Sequence, residues 1–370
     1  MHTWTNIWCK PWLTMFRAEH KMIVKGCMRR RHRSLFLFAH SYTAKLFLLI
    51  TSVLTGVIHA VEMPTFEKGT KRPTTMREVR DLHAKDGLEV FRPTIEPAKG
   101  VTIKKDIVYA ERKEKTLHLD LFLPAPPAAE PHQGQAARLP PLVVLIHGGG
   151  WKKGDKSGEH SKAAWFANRG YAAASIQYRL SGDATFPAAI DDCKRAIAVL
   201  RHQASQHGYD PDRIAVMGFS AGAHLAALAA TTGDNPIFET TLDIASNAVQ
   251  AAVIVAGPTD CTNPNAIEDS RSPDGNYRLF LGASYDDNPT IFTKASPLTY
   301  VSENTPPCLF VGENSDKSSA AMRDRMTELN LPFDSLVLTG GVHGEWNWEP
   351  WFTITMEKSR AFLESHFKNQ

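Results

Sequence analysis

Residues 213–230 read RIAVMGFSAGAHLAALAA, and the order of residue types within them decides the architecture. Arg213-Ile-Ala-Val-Met217 contains a short apolar run, the pattern of a strand buried on both faces. Ala221–Ala230 is rich in alanine and leucine, which favour helix. Between them, Gly218-Phe-Ser-Ala-Gly222 is too short for a loop, so the chain must pass from strand to helix in one sharp bend. A Cβ at 218 or 222 would collide with neighbouring main chain there, which accounts for both glycines. The bend lifts the Ser220 hydroxyl out at the carboxyl edge of a sheet, above the positive end of the following helix. The spacing G-x-S-x-G recurs by chance, but in a strand–turn–helix context it marks Ser220 as a candidate nucleophile.

Outward from this bend, strands and helices alternate. Leu117, Leu119, Leu121 and Leu123 alternate with Thr116, His118, Asp120 and Phe122, the pattern of a strand with one strongly apolar face. Further strands are predicted at 142–146, 172–177, 249–256, 308–312 and 335–338. A helix over 187–205 places Ile190, Cys193, Ile197, Leu200 and Ala204 on one stripe, and a closing helix does the same for Phe352, Met356, Ser359, Leu363 and Phe367. The Pro- and Ala-rich stretch 125–141 is a surface loop. The alternation predicts an α/β chain with one predominantly parallel central sheet and helices on both faces. The folded body is expected over 101–370. A polar linker or arm over 61–100 precedes it, with a helical turn or two near 76–85.

Acyl transfer at a serine needs further parts, and each has a candidate. Leu145-Ile-His-Gly-Gly-Gly-Trp151 ends a strand, and its glycines let backbone amides approach a substrate oxygen. Gly149 and Gly150, with the Ala221 amide, are the candidate oxyanion hole, each donor contributing roughly 3–4 kcal/mol to the transition state. A phosphate loop is excluded, because neither P-loop spacing nor G-x-G-x-x-G is present. His343, in LTGGVHGEWNW (338–348), follows the last strand and is the candidate base. His147 belongs to the glycine loop and would brace it, while His224 follows Ser220 on the same helix and would point into packing. For the acid, VGENSDKSS (311–319) offers Asp316, with Glu313 as the rival. The order Ser220, Asp316, His343 matches the order such a fold imposes. Trp151 beside the glycine loop, and Trp346, Trp348 and Trp351 around the histidine, are candidates to wall a substrate pocket.

With 43% hydrophobic and 22% charged residues in 370, the composition is ordinary for a globular protein. The net charge of +3 is unevenly spread: nine of the 42 basic residues but one of the 39 acidic ones fall in 1–60, leaving 33 and 38. The body is mildly acidic and has no basic cluster, so nucleic acid is not an expected partner. Arg29–Arg33 and Lys45, then the apolar run Leu46–Ile58 and the pair His59-Ala60, have the order of an export signal with cleavage after Ala60. The expected location is secreted or periplasmic. That run is too short to span a bilayer comfortably, so no stable membrane span is expected after cleavage; an uncleaved N-terminal anchor is the alternative. Cys9 and Cys27 would leave with the signal. Cys193, Cys261 and Cys308 form neither a disulfide framework nor a metal motif, and are expected as mostly buried free thiols. No metal or organic cofactor is expected.

The stretches LHLDLFLP (117–124), LIHGGGW (145–151), YRLSGDATFPAAIDDCKRAIAVLR (178–201), DPDRIAVMGFSAGAHLAAL (210–228) and ASPLTYVSENTPP (295–307) resemble the α/β-hydrolase superfamily. Within it they are similar to the acetyl-esterase and lipase group, which includes hormone-sensitive-lipase-like and bifunctional acetylxylan/feruloyl esterase-type enzymes. The resemblance covers about 101–368 and implies cofactor-independent ester hydrolysis by Ser220, His343 and Asp316. In that group the acid loop usually reads H-G-x-x-D-x-x-V-P. Here Asp316 holds the matching place, but the His-Gly and Val-Pro are missing and the loop is shortened. Such enzymes commonly remove acetyl groups from carbohydrates, so the implied substrate is an acetylated carbohydrate or another short-acyl ester, small or polymeric. An amidase or peptidase on the same fold is one rival. A non-catalytic carbohydrate-binding protein, motivated by the altered acid loop, is the other.

Overall fold

The computed structural model describes residues 73–126, 138–238, 244–313 and 317–368, together with Thr65. The stretch expected to be an export signal, most of the expected 125–141 loop, Asp316 and the Glu313 side chain lie outside the described residues. Eight strands form one sheet: β1 (Thr102–Glu111), β2 (Thr116–Leu123), β3 (Leu142–Ile146), β4 (Ala172–Ile176), β5 (Ile214–Phe219), β6 (Ala251–Val255), β7 (Cys308–Glu313) and β8 (Phe333–Leu338). Their order is β1-β2-β4-β3-β5-β6-β7-β8. Only β2 runs against its neighbours; the others pair in parallel from β4 to β8. This is the α/β-hydrolase fold.

The central strands β3 to β6 are buried at every position because both faces are covered. On β3, Leu142, Val144 and Ile146 join one core while Val143 and Leu145 join the other; β5 divides Ile214 and Val216 from Ala215, Met217 and Phe219 in the same way. The first core takes the helix Ala188–His202, whose stripe of Ile190, Cys193, Ile197 and Leu200 is fully buried, and the helix Ala221–Thr232. The second takes the helices His160–Ala167 and Trp351–Phe367. Cys193, Cys261 and Cys308 are buried free thiols, and burial pushes Cys308 up to about 12. Among the described residues, no helix is long and apolar enough to cross a membrane.

Several elements went unread in the sequence. β1 is an edge strand containing Lys104, Lys105 and Asp106, with its register broken around Asp106, which takes a φ of 56°. An edge exposed to water carries no apolar alternation to detect. The helices at 160–167, 264–271, 276–281, 289–295 and 320–328 are short, and no long apolar stripe announces them. The arm is packed more firmly than a linker. Its helix Met76–His83 is capped by the Thr75 hydroxyl and buries Val79 and His83, and Val90 is buried beyond it.

Candidate active site

Ser220 sits at the N-terminus of the helix Ala221–Thr232 with φ 53° and ψ −117°, a conformation that L-residues rarely adopt. The surrounding glycines make that bend possible. A Cβ on Gly218 would stand 2.1 Å from the Gly222 carbonyl oxygen, and one on Gly222 would stand 2.1 Å from that of Ile146. The Ser220 amide donates to the Val255 carbonyl at 2.8 Å, so β6 holds the bend from the side.

The glycine loop packs main chain against main chain on this bend. A Cβ on Gly148 would meet the Phe219 carbonyl oxygen at 2.7 Å. Gly149, Gly150 and Trp151 all take positive φ, at 118°, 61° and 58°. Ala221 opens its helix, where first-turn amides have no intrahelical acceptor. His147 braces the loop: its ring stacks on Tyr178 at 4.3 Å, Tyr178 donates to the His147 carbonyl at 3.0 Å, and burial lowers the ring's pKa. His224 is fully buried and holds Trp151. It accepts from Trp151 Nε1 at 3.2 Å on Nδ1 and donates from Nε2 to the Ala295 carbonyl at 2.7 Å. Burial holds this ring down at about 4, so it stays neutral near pH 7.

His343 Nε2 lies 2.9 Å from Ser220 Oγ. The exposed imidazole stands edge-on to Trp346, with ring centroids 4.9 Å apart. Trp346 is buried and stacks on Phe219, next in chain to the serine. Lys162 joins the same two regions. Its ammonium lies 4.3 Å over the Phe219 ring, donates to Asn347 Oδ1 at 2.7 Å and pairs with Glu159 at 2.6 Å. The arm reaches this loop as well: His83 Nε2 donates to the Gly340 carbonyl at 2.8 Å, and the Glu349 amide donates to the Phe91 carbonyl at 2.8 Å.

A cavity of about 380 Å³ opens over Ser220 and His343, lined also by Trp151, Ala221, Ala256, Pro258, Asn276, Tyr277, Lys317 and Ser318. Of the tryptophans expected to wall a pocket, Trp151 does so. The others are placed differently: Trp346 packs beneath the histidine, Trp348 lies under Arg92 at 5.7 Å, and the buried Trp351 donates to the Thr339 carbonyl at 2.7 Å. Large rings near a loop serve its packing as readily as a pocket, and sequence position does not separate the two. Ala256, Pro258 and Ser318 follow the carboxyl ends of β6 and β7, where the site of an open α/β sheet lies, and that rule would have found them. Asn276 and Tyr277 come from a helix of six residues with no sequence signal. Among the described residues no cluster of side chains suits a metal ion.

Residues 128–325 match the BD-FAE family. Esterase LipQ of Mycobacterium tuberculosis is 35% identical over 197 residues, 50% of this chain and 47% of that protein. The chain spans about half or less of the curated relatives it matches. Among solved structures, a bifunctional GH43-CE protein of Bacteroides eggerthii superposes with a TM-score of 0.61 at 26% identity, covering 71% of this chain and 38% of that one. A thermophilic esterase of Thermogutta terrifontis, Est2, gives 0.56 at 22% identity over 72% and 94%, a likeness of fold.

Proposed function

This chain belongs to the BD-FAE family of α/β-hydrolases, and from that premise we propose that it is a serine carboxylic-ester hydrolase acting on acetylated carbohydrate or another short-acyl ester. The observation that carries the reading is the 2.9 Å contact between His343 Nε2 and Ser220 Oγ on a strained bend above a cavity. His343 takes the hydroxyl proton as Ser220 Oγ attacks the ester carbonyl. The amides of Gly149, Gly150 and Ala221 receive the negative charge on the carbonyl oxygen. His343 then passes its proton to the departing alcohol, leaving an acyl-serine that water hydrolyses with the same histidine as base. Asp316 is the proposed acid that orients the imidazole, and Glu313 is the alternative.

The carbohydrate assignment is supported by the description of the Bacteroides neighbour, which pairs a GH43 unit with a CE unit. Export, supported by the cationic and apolar order before Ala60, is the accompanying proposal; a mature N-terminus at Val61 in the extracellular or periplasmic fraction is the expected result. The chemistry is tested with a fluorophosphonate probe, a 4-nitrophenyl ester and the matching anilide. Labelling at Ser220 with ester turnover is expected. Anilide turnover with negligible ester turnover points to an amidase, and an unlabelled Ser220 in protein that still binds polysaccharide points to a binding protein.

A further inference from the structure

Asn276 is a polar side chain in the cavity that the proposed chemistry does not use. It begins the short helix Asn276–Leu281 and lines the space over Ser220 and His343. Its Oδ1 is buried and has no hydrogen-bond partner among the described residues. Folding does not ordinarily leave a buried acceptor unmet. The side chain lies across Gly150, where a Cβ would stand 2.9 Å from Asn276 Oδ1 and 3.1 Å from its Cγ.

The turn that carries it is fixed. Asp269 accepts the Tyr277 amide at 2.7 Å, and a Cβ on Gly275 would stand 1.9 Å from the Asp269 carbonyl oxygen. The Lys152 ammonium reaches the Asp274 carbonyl at 3.4 Å, tying the turn to the glycine loop. Much of the remaining wall is apolar or already engaged. Trp151 Nε1 is bonded to His224, and Ser318 donates its hydroxyl to the Gly257 carbonyl at 3.2 Å.

We infer that Asn276 is a specificity residue: its amide turns about the Cβ–Cγ bond to accept a hydrogen bond from a hydroxyl carried by the ester beside the scissile bond. The inference rests on the ester-hydrolase reading of this site and narrows its substrates to hydroxylated esters, such as the acyl esters of polyols. A plain alkyl ester leaves Oδ1 buried and unmet, which is how a site built for a hydroxyl rejects an analogue lacking it.

Matched ester pairs test this. 2-Hydroxyethyl acetate against propyl acetate puts the hydroxyl on the alcohol; ethyl 2-hydroxypropanoate against ethyl 2-methylpropanoate puts it on the acyl group. The expected result is a kcat/KM at least about tenfold higher for the hydroxylated member of one pair, falling to within about twofold in Asn276→Leu and Asn276→Ala. Each reading is a ratio within one protein, so partial loss of folded enzyme cancels. A wild-type enzyme without preference in either pair, or a preference unchanged in both variants, overturns the assignment. If wild-type protein turns over neither these esters nor 4-nitrophenyl acetate, the hydrolase reading itself fails and this one falls with it.

Discussion

The two loops that meet at the Ser220–His343 contact are built on opposite plans. The serine bend is closed by exclusion: at 218 and 222 a single added carbon would stand 2.1 Å from backbone oxygen. The histidine loop is tight at Gly341, where a Cβ would stand 2.6 Å from Glu345 Cβ, but open just after the histidine. Gly344 has φ 104° with nothing within 4 Å of where a Cβ would go. That loop is instead held from outside, by Trp351 on the Thr339 carbonyl, His83 on the Gly340 carbonyl, Phe91 on the Glu349 amide and Lys162 on Asn347. One half of the site is positioned by what cannot fit within it, the other by partners from the arm, the helix 160–167 and the closing helix.

The largest expected effect lies on the serine side. Ser220→Ala should lower kcat/KM for 4-nitrophenyl acetate by about 10⁶-fold with an unchanged melting temperature, because in the proposed mechanism the histidine and oxyanion donors cannot act without the serine. The contrast between the loops predicts unequal glycine costs. Gly222→Ala should destabilise by about 3 kcal/mol or more, or prevent folding, whereas Gly344→Ala should cost about 1–2 kcal/mol from backbone strain alone. Equal costs in urea unfolding would break the comparison.

The helix behind the serine should also give a pH signature. The His224 ring is held at about 4 in the fold against 6.5 ordinarily. As pH falls, the unfolded chain therefore takes up the proton first. The contribution is fully present above pH 6.5 and is lost on the way to pH 4, by up to about 3 kcal/mol. Urea midpoints at pH 7 and pH 5 should show the loss, and His224→Gln should reduce it. The smallest effect belongs to the arm. His83→Ala should lower kcat about tenfold or less, with KM little changed and Ser220 still labelled, because the histidine loop loses one support among several. An unchanged kcat would show that the arm covers the loop without placing it.

Much of the sheet was legible because its rules are local. β3, β4 and β6 are short apolar runs, and the stripe from Ile190 to Leu200 repeats at helical spacing. The same holds for Ser220, whose neighbours in sequence are its neighbours in space, and for His343, which follows the last strand. Trp346, Trp348 and Trp351 read alike in sequence, yet each takes a different partner. Asn276 gives no signal at all, since what sets it apart is Gly150 lying beneath it, over a hundred positions earlier.

From the chain alone came the parallel sheet, the strand-to-helix bend and Ser220 and His343 as candidates for acyl transfer, since periodicity and close steric contact act over a few residues. Only the tertiary structure decided that the arm supports the histidine loop, that His224 anchors Trp151 and that Asn276, with a buried and unmet Oδ1, lines the cavity. Those outcomes depend on which distant surfaces pack together, and packing depends on shape across the whole fold, which no short stretch of residues contains.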